Sequence, residues 1–216
     1  KVASCRTRLN LETKAWRLSL ARLGVNVLPE ALLDGQADNI LVLDLKKNAL
    51  QLLPSELFLR LPQLQEVIVS ENALSYIPET IGVATGLRKL NLRSNKIKDL
   101  PEGICRLHAL EEVNLSRNVL ECLPTAIGRL KNLRRLDLAD NCLQEVPEEA
   151  GLLIRLEHVD LSGNPVQRLP LLIQRLETKG ELLRSRARRR LLVRRALHIR
   201  GSVRAAFAKE ALLDET

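Results

Sequence analysis

From Ile40 to Val166 the apolar positions recur with a fixed step. The segments ILVLDLKKNAL (40–50), LQEVIVSENAL (64–74), LRKLNLRSNKI (87–97), LEEVNLSRNVL (110–120), LRRLDLADNCL (133–143) and LEHVDLSGNPV (156–166) superimpose without a gap. Six Asn, at 48, 72, 95, 118, 141 and 164, are spaced by 24, 23, 23, 23 and 23, and Pro follows at 54, 78, 101, 124, 147 and 170 with the same steps. A less regular unit, WRLSLARLGVNVLPEAL (16–32), brings Leu18, Leu20, Val25 and Pro29 into register, so seven of the nine prolines share one column. The LxL core of each unit has the period-two pattern of a short strand with two inward Leu. Strands that return every 23 residues stack in parallel on the next unit. The recurring Asn is expected to turn inward after the strand, where its amide supplies both donor and acceptor to backbone groups that would otherwise be unpaired. Leu23 stands at that position in the first unit, which has no earlier unit beneath it. The L-P that follows ends strand pairing, and the LPxxIGxLxxL stretch predicts a return on the opposite side as a short helical or extended segment.

Such a unit buries its apolar side only against its neighbours. The pattern predicts an α/β fold, a leucine-rich-repeat solenoid of seven repeats over 16–176, with parallel strands on a concave face and an irregular or helical convex side. A solenoid exposes its core at both ends, so caps are expected. Residues 1–15 predict an N-terminal capping helix, with Val2, Leu9 and Leu11 as its contacts. Residues 177–216 predict a basic helical arm, with helices at 181–199 and 203–213 broken near Gly201 and Ser202 as N-cap. Leu192, Ala196, Ile199, Val203 and Phe207 fall in one sector roughly 80° wide on that arm.

The turns IPETIGVATGL (77–87), LPEGICRLHAL (100–110), LPTAIGRLKNL (123–133) and VPEEAGLLIRL (146–156) resemble those of small intracellular leucine-rich-repeat proteins of the Ras-suppressor and plant Ras-group type. The resemblance covers about residues 16–176 and implies a protein-binding scaffold without catalytic activity. It also implies one candidate role, a signalling adaptor whose concave face binds a small GTPase or a phosphatase. Residues 177–216 have no counterpart in that pattern, and the cysteine-rich caps of secreted relatives are missing.

Composition sharpens the picture. Forty-eight residues are Leu, only four are aromatic (Trp16, Phe58, Tyr76, Phe207) and none is Met. The core must therefore be aliphatic, and stacking platforms for bases or sugars are nearly absent. With 28% charged residues and no apolar run approaching a membrane span, a transmembrane protein is excluded. Cysteines 5, 105, 122 and 142 form no CxxC pair. They read as small apolar filling in a reducing, intracellular compartment, cytoplasm or mitochondrial matrix rather than the secretory route. A start at Lys1 rather than Met fits either removal of a transit peptide or simple trimming. There is no GxxxxGK phosphate loop, no HExxH and no GxSxG, and His108, His158 and His198 lie in different elements without ligand partners at metal spacing. No enzyme, cofactor, metal site or small-molecule substrate is expected.

Two surfaces are candidates for partner binding. On the concave face a central column runs Ser19, Asp44, Ile68, Asn91, Asn114, Asp137, Asp160, beside a column Arg17, Val42, Glu66, Lys89, Glu112, Arg135, His158. Glu66, Lys89, Glu112 and Arg135 alternate in sign, as do Arg88, Glu111, Arg134 and Glu157. The charges either pair with one another or form a polar docking groove, for which Arg17, Asp44, Ile68, Asn91, Arg93, Asn114, Asp137 and Asp160 are the candidate protein-binding residues. The second surface is the arm. Residues 181–210 hold ten Lys/Arg against two Glu, which equals the net charge of +8 of the whole chain. Arg184, Arg186, Arg188, Arg189, Arg190, Arg194, Arg195, Arg200 and Arg204 suit bidentate contacts to RNA phosphates or an acidic protein surface. A solvated face, an anionic membrane and an import signal are the other readings. The leading expectation is a structural or accessory subunit of a larger assembly, such as an organellar ribosome or another ribonucleoprotein. A free signalling adaptor and a cytoskeletal or ciliary accessory subunit are the alternatives.

Overall fold

The computed structural model describes residues 16–28, 40–170 and Ile173. The predicted N-terminal capping helix and the C-terminal arm lie outside these residues. Within them each repeat contributes one short strand: β1 (Trp16–Ser19), β2 (Ile40–Asp44), β3 (Glu66–Ile68), β4 (Lys89–Asn91), β5 (Glu112–Asn114), β6 (Arg135–Asp137) and β7 (His158–Asp160). The seven form one sheet in sequence order, and every neighbouring pair is parallel. The middle residue of β3 to β7 points inward and is buried, as is its register partner Leu43 in β2: Leu43, Val67, Leu90, Val113, Leu136 and Val159 are at most 4% exposed. Burial of such a side chain contributes roughly 1.5–3 kcal/mol, so the stack is held along its whole length by small, equal increments.

The convex side is built as the Pro column requires. After each Pro the chain makes one tight 3-10 segment: Glu79–Val83, Glu102–Arg106, Thr125–Arg129 and Glu148–Leu152. The Pro itself is extended, with φ near −65° and ψ near 145° (−66° and 144° at Pro78), and its carbonyl accepts the N–H three residues on. In the second repeat the same stretch closes as one α-helical turn, α1 (Glu56–Arg60), where Phe58 stands at the position that Gly82 takes in the next repeat and is fully buried. Consecutive 3-10 segments pack so closely that a Cβ on Gly103 or Gly128 would strike the carbonyl oxygen of Glu79 or Glu149.

The Asn column turns inward as the spacing predicts. Asn118 donates from Nδ2 to the carbonyls of Leu92 (3.0 Å) and Leu115 (2.9 Å), and its Oδ1 accepts the N–H of Ile97 at 3.0 Å. One side chain thus ties the strand ends of two repeats to the next turn of the earlier one. Asn95 and Asn141 repeat this pattern and are equally buried. At the first repeat Asn48 accepts the N–H groups of Leu23 and Val25, and Leu23 itself is exposed.

The geometry that turns Asn inward has a cost that the sequence conceals. The residue just before it is left-handed in every repeat: Lys47, Glu71, Ser94, Arg117 and Asp140 have φ between 56° and 59°, and Gly163 has 73°. Only the last of these is the residue type that adopts this conformation without strain.

Candidate functional site: the concave face

The strand registers bring the two predicted concave columns together. Arg17, Val42, Glu66, Lys89, Glu112, Arg135 and His158 are successive partners, and so are Ser19, Asp44, Ile68, Asn91, Asn114, Asp137 and Asp160. Neighbouring strands stand about 4.8 Å apart. Arg93 lies two residues beyond Asn91 and is exposed. The middle of the two columns, Glu66, Lys89, Asn91, Glu112, Asn114, Arg135, Asp137 and His158, lines a hollow of about 360 Å³ that contains no Phe, Tyr or Trp.

The central column serves the fold before it can serve a partner. Oδ1 of Asp44, Asn91, Asn114, Asp137 and Asp160 accepts the backbone N–H two residues on, at 3.1, 3.2, 3.0, 3.1 and 2.9 Å. In Asn91 and Asn114 this bond directs the carbonyl oxygen toward the backbone and leaves Nδ2 as a donor facing the hollow. In Asp137 and Asp160 the same arrangement leaves Oδ2 as an acceptor. The face therefore changes from amide donors on β4 and β5 to carboxylate acceptors on β6 and β7. Reading the sequence treats each polar side chain as wholly available, and it misses that half of each is committed to its own turn. At the other end both oxygens of Asp44 are engaged, since Oδ2 takes the Arg17 guanidinium at 2.8 Å. Ile68 is the half-buried apolar member of an otherwise polar column.

The flanking charges pair two by two. Lys89 meets Glu112 at 3.4 Å, Arg88 meets Glu111 at 3.2 Å and Arg134 meets Glu157 at 3.1 Å. Exposed pairs of this kind contribute about 0–1 kcal/mol each. Among the described residues Glu66, Arg93 and Arg135 enter no ion pair, so the ladders are interrupted rather than continuous. His158 is half-buried on this face, whereas His108 is exposed on the convex return.

The cysteines correct one expectation. Cys105 is a buried filler, and burial, with the Glu102 carboxylate adding to it, pushes its thiol up to about 12, which makes it unreactive. Cys122 and Cys142 are exposed instead. Their columns lie on the lateral edge of the solenoid. Partial burial and a 3.6 Å contact to the Asp99 carboxylate raise the Cys122 thiol. Among the described residues no cluster of His, Cys, Asp and Glu could hold a metal ion, and no helix is long and apolar enough to cross a membrane.

Comparison with known proteins gives the same architecture. Residues 85–141 match the family described as Leucine rich repeat, and residues 131–173 match Leucine Rich repeats (2 copies). Among solved structures, a leucine-rich-repeat protein of Leptospira interrogans is 30% identical, with a TM-score of 0.55 over 74% of this chain and 45% of its own. This chain thus spans less than half the length of that protein. No curated protein matches it. Leucine-rich repeats generally mediate protein–protein interaction, and the proteins that carry them are typically non-enzymatic scaffolds. Seven consecutive parallel strands, the Asn column that ties them and the two matches over 85–173 make this chain a leucine-rich-repeat solenoid.

Proposed function

We propose that the chain is a non-enzymatic protein-interaction scaffold that docks a partner protein on its concave face and serves as an accessory subunit of a larger assembly. The observation that carries this reading is the directional order of the central column. The Nδ2 groups of Asn91 and Asn114, with the unpaired Arg93 beside them, present donors, and the Oδ2 groups of Asp137 and Asp160 present acceptors. A partner surface that matches this order is held by hydrogen bonds and by contact with Ile68, and the Arg17–Asp44 pair bounds the site. Without an aromatic anchor the affinity is moderate.

The arginines from Arg184 to Arg204 support a second contact, to RNA phosphates or an acidic protein surface, because their density gives a local charge that the repeats do not balance. The exposed free thiols of Cys122 and Cys142 favour a reducing compartment. The free signalling adaptor is the second reading, favoured by the turn resemblance alone.

Sedimentation of the native protein from cell extract separates the two, with and without ribonuclease, alongside a chain ending at Thr178. Arm-dependent co-migration with a large particle that collapses on ribonuclease treatment supports a ribonucleoprotein subunit. Ribonuclease-insensitive co-migration supports a protein assembly. A small species in every sample overturns the subunit reading and promotes the adaptor, for which Asn91→Ala and Asn114→Ala abolish partner binding.

A further inference from the structure

The central concave column holds two pairs of side chains whose orientation the backbone has already set. Oδ1 of Asn91 and Asn114 accepts the N–H two residues on, and Ser116 Oγ donates to Asn114 Oδ1 as well, at 2.7 Å. Both amide groups are therefore held with Nδ2 outermost. Asp137 and Asp160 are held by the same bond with Oδ2 outermost. Among the described residues neither Nδ2 meets an acceptor and neither Oδ2 a donor. Asn91 and Asn114 are register partners on β4 and β5, and Asp137 and Asp160 on β6 and β7. Each pair thus sets two like groups about 4.8 Å apart. The two amides can close on the two oxygens of one carboxylate, and the two Oδ2 atoms on the outer nitrogens of one guanidinium. The surrounding charges follow the same division. Arg88–Glu111, Lys89–Glu112 and Arg134–Glu157 cancel, and Arg117 pairs with Asp140. What remains is the exposed Arg93 beside the amides and, on the other side, two carboxylates against Arg135. With the imidazole of His158 neutral, the excess is positive over β4 and β5 and negative over β6 and β7.

We infer that the partner segment docked on this face is an α-helix laid across the strands that carries, in order, an aliphatic side chain, a carboxylate and an arginine. This rests on the concave docking proposed above and adds the partner's chemistry to it. The carboxylate sits over Asn91 and Asn114 with Arg93 at its side, and the arginine over Asp137 and Asp160. The centres of the two pairs lie two strand spacings apart, about 9.6 Å. Residues i and i+7 of a helix share a face and are about 10.5 Å apart. Ile68 stands on β3, about 7 Å before the amide pair, so the aliphatic residue comes one turn earlier, at i−4. A turn rises about 5.4 Å, and successive turns therefore keep step with successive strands. An extended segment presents one face only about every 6.6 Å and falls out of step. It also finds no free backbone here, because β2 to β6 are each bonded on both sides. The order gives the partner a direction, since its aliphatic residue must lie next to the carboxylate and not next to the arginine.

Two capped, alanine-based helical peptides test this. One carries Leu, Glu and Arg at i−4, i and i+7, and the other has Glu and Arg exchanged. They share composition and net charge, so the basic chain as a whole attracts both equally. Each is titrated to about 1 mM with the full chain at low salt and pH 8, with affinity read from the anisotropy of labelled peptide. The Nδ2 proton signals of Asn91 and Asn114 report the place of binding. The first peptide is expected to bind at least tenfold more tightly and to shift both signals. A fourfold swap, Asn91→Asp and Asn114→Asp with Asp137→Asn and Asp160→Asn, removes the preference or turns it to the other peptide. The swap keeps each turn bond, because Oδ1 of both residue types already accepts it in this column, and an unchanged thermal midpoint checks this. Equal binding of the two peptides, binding of neither, or a preference that survives the swap overturns the inference. Ile68→Asp in the cell-extract sedimentation then separates the two readings. If it releases the native partner, only the charge order fails, and if the partner stays bound, concave docking fails with it.

Discussion

Within every repeat two neighbouring stretches follow opposite rules. The inward Asn is present in six consecutive repeats, and the residues one, three and four positions later are uncharged in the first three repeats but include charged side chains in each of the last four. The difference lies in what each position must satisfy. Asn118 is 6% exposed and bonds backbone groups of two repeats that water cannot reach. An outward position touches solvent and is chosen by whatever else the surface meets. Uniformity along a solenoid therefore marks the fold, and departure from it marks a candidate contact.

The comparison breaks most sharply at its inner member. Asn118→Ala orphans the Ile97 N–H and two carbonyls, and each such buried group costs at least about 1 kcal/mol, so a loss of about 3 kcal/mol or more is expected in chemical denaturation. Asn48→Ala, half-buried at the N-terminal end, should cost less than half of that. Equal losses would show that burial does not set the value of the ladder. Next in size, Gly103→Val drives a side chain into the Glu79 carbonyl and should destabilise by about 1–3 kcal/mol, whereas Gly86→Val, which meets only one backbone atom at 3.8 Å, stays within about 0.5 kcal/mol. Ser94→Gly works in the opposite direction. It relieves a left-handed φ of 56° and should stabilise by up to about 1 kcal/mol, read as a higher denaturation midpoint. The smallest effect is chemical: in the native protein a thiol reagent should label Cys142 first and Cys122 more slowly, while Cys105 reacts only on unfolding. Labelling of Cys105 at the rate of Cys142 would mean that its repeat opens locally.

Much of this fold can be read from one sequence because its parts repeat. The strand registers, the inward Asn and the Pro-led return all follow from spacing, since a period repeated six times leaves little freedom in how the units stack. The left-handed column was not legible, because Lys47, Glu71, Ser94 and Arg117 are residue types that rarely take that conformation, and only Gly163 and, more weakly, Asp140 signal it. The concave residues were placed in the right columns, yet their usable atoms were hidden: which oxygen of Asp137 or which end of Asn91 faces the hollow depends on a local bond to the next turn. The exposure of Cys122 and Cys142 was misread because their columns sit next to buried Leu in sequence, while the chain has already turned onto the lateral edge.

The strictly sequential strand order has a mechanical consequence. Strand n is bonded only to strands n−1 and n+1, so a pull on the two ends of the repeat region loads the inter-repeat ladders in series rather than side by side. The weakest junction yields alone and hands the load to the next. Each rupture releases one 23-residue repeat, about 80 Å of extended chain, and the force record of this solenoid should be a train of nearly equal steps in which slack is paid out one repeat at a time.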